Sequence, residues 1–349
     1  MIYINKNKHI SIDEWKNALA ELGLLEKIKS AVSISIKPNL AAGNKAPIES
    51  HVCTDRELMR NVVELCHAIN PSAIIYISES DSTGNGFAYL KFEHFGYPES
   101  IDPHHNLNAV IQDLSRTELK EIIDGRFLYF RDEKKLFLSK PFIESDFIIS
   151  LSNLKTHSVT LYTGACKNLF GCLPASTKSV YHPYIHQVVH DLTLAVHPDL
   201  SIIDAFFAME RNGPVAGKDI NGGLRLFSDN AYEADVYGAQ LIGINPNKVK
   251  YLKLLSCIYG KLNVNQEIVS ENRFTALMPG RNLRINNAIG LWIQRFGDGI
   301  SHMGDRIHIA RNPLRAVIAV FRPILFRVFG LGKLKKFKGK IQGDSNNGY

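Results

Sequence analysis

Apolar positions along the chain gather into short runs at residues 31–36, 73–77, 109–111, 147–151, 201–203 and 224–227. Several of these runs are apolar at successive positions, as strands buried on both faces are. Amphipathic stretches lie between them. Three open on a Ser/Thr-x-x-Glu pattern, at residues 11–14, 54–57 and 115–118, which predicts helix starts closed by a capping box. After Thr54, the spacing of Leu58, Val62, Leu65 and Ile69 is that of a buried helical stripe. Strands alternating with helices predict an α/β fold: an open, mostly parallel sheet with helices on both faces. The sheet is expected to end near Pro246, so that residues 1–246 form the α/β domain. Residues 247–310 read as helical packing of the same domain, and 311–349 as a C-terminal helical segment and basic amphipathic tail.

Charge changes the picture only at that tail. The net charge is +7, but from Arg311 onward nine Lys or Arg face one acid, so the preceding 310 residues sum to about −1. A basic surface for nucleic acid is therefore not expected of the body. Residues 314–329 are apolar but broken by Arg322, Pro323 and Arg327, short of the roughly 18 residues a spanning helix needs. With the lysines that follow, residues 314–340 suit an anionic membrane surface. The five cysteines are sparse and odd in number, and the first residues lack the order of a secretory signal; both fit a cytoplasmic protein, peripheral at most at the inner face of a membrane.

Candidate chemistry follows from the fold class. Open α/β sheets bind ligands beyond the carboxyl ends of their strands. Here those ends run into Lys37-Pro38-Asn39, Glu79-Ser80-Asp81, Asp113, then Asn153, Lys155 and His157, then Asp204, then Ser228-Asp229. Lys155 and His157 are one residue apart and point the same way in an extended chain, setting a fixed cation beside an imidazole. Lys167 and Asn168 interrupt a small, apolar stretch, where a lysine must be paired or have its pKa lowered. Three lysines together predict a site for a carboxylate, phosphate or developing enolate. Glu79 and Asp204 are of the type that serves as base, orienting group or divalent-metal ligand. His182, His186 and His190 repeat every fourth residue, as metal ligands on a helix do, but without the Glu of the zincin pattern. Gly84-x-Gly86 lacks the third glycine of a dinucleotide fingerprint.

In order along the chain, Lys37-Pro38-Asn39, Thr54-Asp55, Lys155-x-His157, Lys167-Asn168-Leu169-Phe170-Gly171, Lys178, His182, Asp204-Ala205, Gly213-Pro214-x-x-Gly217, Ser228-Asp229 and Asp235 resemble the domain of unknown function 362 family, over about residues 34–246. The resemblance implies no agreed activity. It adds Lys178 and His182 to the pocket. Some relatives carry a ferredoxin-like iron–sulfur segment with Cys-x-x-Cys boxes; this chain has none, and no cluster is expected.

The expectation is an enzyme acting on a small anionic metabolite by proton-transfer, isomerase, lyase or ligase chemistry. In it His157 is general acid or base, Lys155 and Lys167 stabilise negative charge, and Lys37 positions the anion with Asn39, Asn168, Lys178, His182 and Ser228. Glu79 or Asp204 orients or shares the proton. The alternative is a non-catalytic binding or redox accessory protein carried to a membrane by residues 314–340.

Overall fold

The computed structural model describes residues 1–40, 51–82, 87–157, 159–175, 178–211, 213–214, 217–262 and 264–278. The chain opens with strand β1 (Ile2–Asn5), then helices α1 (Ile12–Glu21) and α2 (Leu25–Ser30) and strand β2 (Ser33–Pro38). It continues through α3 (Arg56–Ile69), β3 (Ile74–Glu79), α4 (Phe87–Phe95), β4 (Ala109–Asp113), β5 (Leu119–Ile122), β6 (Leu136–Ser139) and α5 (Lys140–Ile143). Then come β7 (Phe147–His157), β8 (Leu161–Thr163), α6 (Ala165–Asn168), α7 (Ile185–Val196), β9 (Leu200–Glu210), β10 (Lys218–Asn221) and β11 (Arg225–Ser228). Helices α8 (Ala231–Leu241), α9 (Lys250–Tyr259) and α10 (Gln266–Asn272) complete the described residues. All of them fall in one unit, Met1–Arg284. The expected tail, including residues 314–340, and the Gly84-x-Gly86 turn lie outside the described residues.

The main sheet is mixed, with a parallel centre. Its order is β1-β11-β9-β7-β2-β3-β4, and β9, β7, β2, β3 and β4 run parallel. Strands β11 and β1 add antiparallel beyond β9, while β10 and β8 pair antiparallel with β9 and β7. Each of the six apolar runs lies on a strand. Alternation along β7 shows why both faces are covered. Phe147, Ile149 and Leu151 join the core under α1 to α4, whereas Ile148 and Leu154 join the core under α6 to α9.

Of the three expected capping boxes, the first is as read: Ser11 and Glu14 close α1 reciprocally. The second is displaced by one residue. Asp55 caps α3 by accepting from the Leu58 N–H, which leaves the Thr54 hydroxyl for the sheet. The third opens no helix, because residues after Ser115 enter β5, an edge ribbon with β6. A Ser-x-x-Glu pattern names a helix only if an apolar stripe follows it, and Leu119–Ile122 is too short to supply one.

Register fixes what meets at the carboxyl edge. Lys37 pairs with Ser150, Glu79 with Asp113, and Asn153 with Asp204. Strand β11 runs the other way, so Arg225 is opposite Asp204 and Ser228 is opposite Ser201 at the amino edge.

Candidate functional site

Glu79, at the end of β3, is the hub of a buried charge cluster. Its Oε2 is 3.0 Å from Lys37 Nζ and its Oε1 3.4 Å from Lys91 Nζ, and all three side chains are at most 2% exposed. The Ser80 N–H donates to Oε1 at 2.8 Å. Lys178 joins through Ser80, donating to its hydroxyl at 2.6 Å and to the Gly171 carbonyl at 2.9 Å. Burial works to raise the Glu79 pKa, but Lys37, Lys91 and Lys178 outweigh it and hold the carboxyl at about 2. A carboxylate so held neither donates nor exchanges a proton near neutrality, which leaves Glu79 the orienting part of its expected role. It is the fixed counter-charge of three lysines. Burial lowers Lys91 and brings Lys178 down to about 7 against the pull of Glu79.

The Lys-Asn-x-x-Gly segment is built against this hub. Asp235, on α8, takes the N–H groups of Ala165 at 2.6 Å and Cys166 at 3.2 Å, and so caps the short helix α6. Tyr162 and Tyr251 hydroxyls also reach Asp235, whose buried carboxyl is pushed up to about 7. From α6, Asn168 Nδ2 donates to the Lys37 carbonyl at 2.9 Å and to Ser150 Oγ at 3.2 Å, joining the ends of β2 and β7. Gly171 passes so close that a Cβ there meets Lys37 Cε and Nζ at 2.7 Å. Gly213 is required similarly, its Cα facing the Thr156 carbonyl.

On the other side of β2, a belt of amides and hydroxyls leads to Lys155. Asn39 and Thr54 bracket each other, with the Asn39 N–H donating to Thr54 Oγ1 at 2.8 Å and the Thr54 N–H to the Asn39 carbonyl at 2.8 Å. Asn39 Nδ2 donates to Asn153 Oδ1 at 3.2 Å. Lys155 is 1% exposed and donates to the Val52 carbonyl; burial brings its pKa to about 8. Lys167 is half-buried, with Nζ 4.5 Å from the centre of the Phe170 ring. Burial, then the charges of Lys155 and Lys37, bring it also to about 8. No carboxylate pairs with Lys155 or Lys167 among the described residues.

His157, expected as general acid or base, is held by its own strand turn. Its Nδ1 accepts from the Val159 N–H at 3.0 Å and the Thr160 N–H at 3.3 Å. Two amide donors on Nδ1 leave the proton on Nε2, a tautomer that donates a hydrogen bond and has no lone pair on Nε2 to act as base. Burial, then Lys167, His182, Lys155 and His186, hold the imidazole well below its ordinary pKa, so it stays neutral. His182 lies beside it, stacked on Phe170 with centroids 6.0 Å apart.

Two expected members sit elsewhere. Ser228 is at the amino edge because β11 is antiparallel, and its hydroxyl accepts from the Asn230 N–H at the start of α8. Asp204 is at the carboxyl edge but in its own cavity, bonded to Arg225 Nε at 3.1 Å. The three histidines at four-residue spacing do not form a ligand set: His190 Nδ1 pairs with Asp191 at 2.8 Å, and His186 stacks on Tyr251. Among the described residues no group of three His, Cys, Asp or Glu side chains is placed to hold a metal ion, and no helix is long and apolar enough to cross a membrane. A larger open cleft of about 470 Å³ is lined from α8, α9 and α10, by none of the residues above.

Lys91 and Arg225 are the residues that the sequence reading missed. Both had a signal. Lys91 stands in the apolar run Tyr89-Leu90-Lys91-Phe92 with no acid four residues away, and Arg225 interrupts the apolar strand Leu224-Arg225-Leu226-Phe227.

The family model described as "Domain of unknown function (DUF362)" matches residues 34–240. A protein of Synechocystis sp. named "Thylakoid-associated protein" is 28% identical over 233 residues, covering 64% of this chain and 67% of the relative. Among solved structures, the lactate racemase apoprotein from Thermoanaerobacterium thermosaccharolyticum aligns with a TM-score of 0.44 at 15% identity, over 67% of this chain. This chain spans 55% of that structure, and a likeness so remote informs neither ligand nor reaction.

Proposed function

The chain belongs to the domain of unknown function 362 family, and from the geometry of its own carboxyl edge we propose that it is an enzyme acting on a small anionic metabolite, a carboxylate or phosphate. One observation carries this reading. Lys167 is half-buried and without a carboxylate partner among the described residues, and burial, then the charges of Lys155 and Lys37, bring its pKa down to about 8. An anion bound against Lys155 and Lys167 relieves that repulsion. In water the same charges are screened; at a partly desolvated edge they act strongly on negative charge that develops during a reaction.

The chemistry this supports is proton transfer, isomerisation, or a lyase or ligase step. Lys155 and Lys167, both near 8, exchange protons close to neutral pH. His157 supplies a neutral Nε2–H donor to the anion, and His182 extends that side. Lys37 and Lys91 stay on Glu79, Lys178 stays on Ser80 and the Gly171 carbonyl beside it, and the three contribute a standing positive field. Asn39 and Asn168 hold the strand ends in register. The test is mass spectrometry of small molecules released from natively purified protein. An organic acid or phosphate ester is expected from the wild type and not from the Lys155→Ala/Lys167→Ala double variant. A neutral or cationic ligand retained by both defeats the reading.

A second reading, an accessory protein at a membrane surface, is favoured by one observation, the thylakoid association for which the Synechocystis relative is named. Residues 314–340 supply the basic, apolar segment it requires. It predicts sedimentation with anionic liposomes that weakens with salt. Equal sedimentation of a chain ending at residue 310 defeats it.

A further inference from the structure

Of the lysines gathered at the carboxyl edge, Lys37, Lys91, Lys155 and Lys178 are buried and committed. Lys37 and Lys91 hold Glu79, Lys178 donates to Ser80 and the Gly171 carbonyl, and Lys155 donates to the Val52 carbonyl. Lys167 differs on both counts. It is half-buried, so solvent reaches its amine, and its Nζ donates to no described residue. The group rests 4.5 Å from the centre of the Phe170 ring, three residues on, and His182 stacks on the same ring. Lys155 and His157 on β7, Lys37 on β2 and His186 on α7 are near enough to interact with it by charge. The acid that α8 brings to this segment, Asp235, is spent on the Ala165 and Cys166 N–H groups. Burial, then Lys155 and Lys37, bring Lys167 to about 8, so near neutrality part of it is a free amine with an open lone pair.

A second observation points to a ligand here. Thr163, on β8, pairs directly opposite Lys155, so the two side chains leave the same face of the ribbon. Thr163 is 8% exposed, and its buried hydroxyl has no hydrogen-bond partner among the described residues. Beside a lysine without a carboxylate, a hydroxyl in that condition calls for an acceptor.

We propose that Lys167 bonds covalently to the substrate as an imine, and that the metabolite is an oxo acid whose carboxylate meets Lys155 and the Thr163 hydroxyl. The inference rests on the anion reading above and narrows it: the anion carries a ketone or aldehyde carbon. The step balances without a further reactant. Lys167 Nζ gives up a proton and forms a bond to the carbonyl carbon, whose π pair moves to the oxygen. That oxygen takes up two protons, one from the ammonium and one from the attacking nitrogen, and leaves as water while the nitrogen lone pair closes the C=N bond. Ammonium and carbonyl thus give iminium and water. The iminium draws electrons from the neighbouring carbon, which is what proton transfer and lyase chemistry at that carbon require.

The experiment is reductive trapping on the full chain with pyruvate or 2-oxoglutarate and sodium cyanoborohydride, followed by peptide mapping, with L-lactate as the control lacking a carbonyl. A phosphate titration is run in parallel. Lys167 is expected to gain the mass of the oxo acid less one oxygen, at a level about tenfold above the exposed Lys8, and L-lactate to add nothing. Lys167→Arg keeps the cation and is expected to bind phosphate without a label at that position. Thr163→Val is expected to need about fivefold more oxo acid for equal labelling; an unchanged requirement overturns the Thr163 contact. Label spread evenly over exposed lysines, or absent from Lys167 while phosphate binds, overturns the imine alone. If neither phosphate nor either oxo acid binds, the anion reading falls, and this inference with it.

Discussion

Asn168 Nδ2 donates to the main-chain carbonyl of Lys37 at 2.9 Å, joining residues 131 positions apart in the chain. One side chain thereby ties α6, which carries Lys167, to the strand end that carries Lys37. Asn168→Leu keeps the volume but strands the Lys37 carbonyl and Ser150 hydroxyl. It is expected to cost about 2–3 kcal/mol in urea unfolding. An unchanged midpoint contradicts the tie.

Glu79→Gln leaves three lysines around a neutral amide. Removing one partner of a buried ion cluster costs on the order of 3–5 kcal/mol. The pH dependence has a definite sign. The Glu79 carboxyl is held at about 2 against an ordinary 4.5, so its contribution is present above about 4.5 and is lost as pH falls toward 2. Acid titration of stability is expected to steepen over that window in the wild type and to be flatter in Glu79→Gln.

Asp235 behaves in the opposite sense. Its carboxyl is raised to about 7 from 3.8, so its contribution is full below 3.8 and is lost as pH rises through about 7. Asp235→Asn turns an amide NH2 toward the Ala165 or Cys166 N–H. Denaturation at pH 5 and pH 7.5 is expected to show a loss of about 2–3 kcal/mol that is larger at pH 5.

The lysines predict two trends with pH that run in opposite directions. Lys155 and Lys167 sit near 8 when folded against an ordinary 10.5, so the unfolded chain binds more protons between those limits and stability rises with pH. Anion affinity falls over the same range as the ammonium groups discharge. Thermal melts from pH 8 to 10 are expected to climb, less so in Lys155→Met/Lys167→Met, while phosphate affinity declines.

The parallel centre of the sheet was legible because β2, β3, β7 and β9 are apolar on both faces, and their ends named Lys37, Glu79, Lys155 and Asp204. Strand direction was not legible. The run before Ser228 reads like its neighbours, and only pairing reveals that β11 is antiparallel, which removes Ser228 from the edge and substitutes Arg225. Protonation was also out of reach, since Glu79 and His157 take their states from partners distant in sequence or from local backbone amides. Lys91 shows the remaining limit: a lone lysine in an apolar helix is a signal, but its partner 12 residues earlier comes from the fold.

The central claim is that Lys167 holds an anion at the carboxyl edge. Its most direct test is calorimetric titration of the full chain with inorganic phosphate, wild type against Lys167→Ala, with a thermal melt of each. The account predicts saturable binding that weakens at least about tenfold in the variant while the melting temperature is nearly unchanged. Equal affinity in both proteins, or a variant that loses its fold, contradicts it.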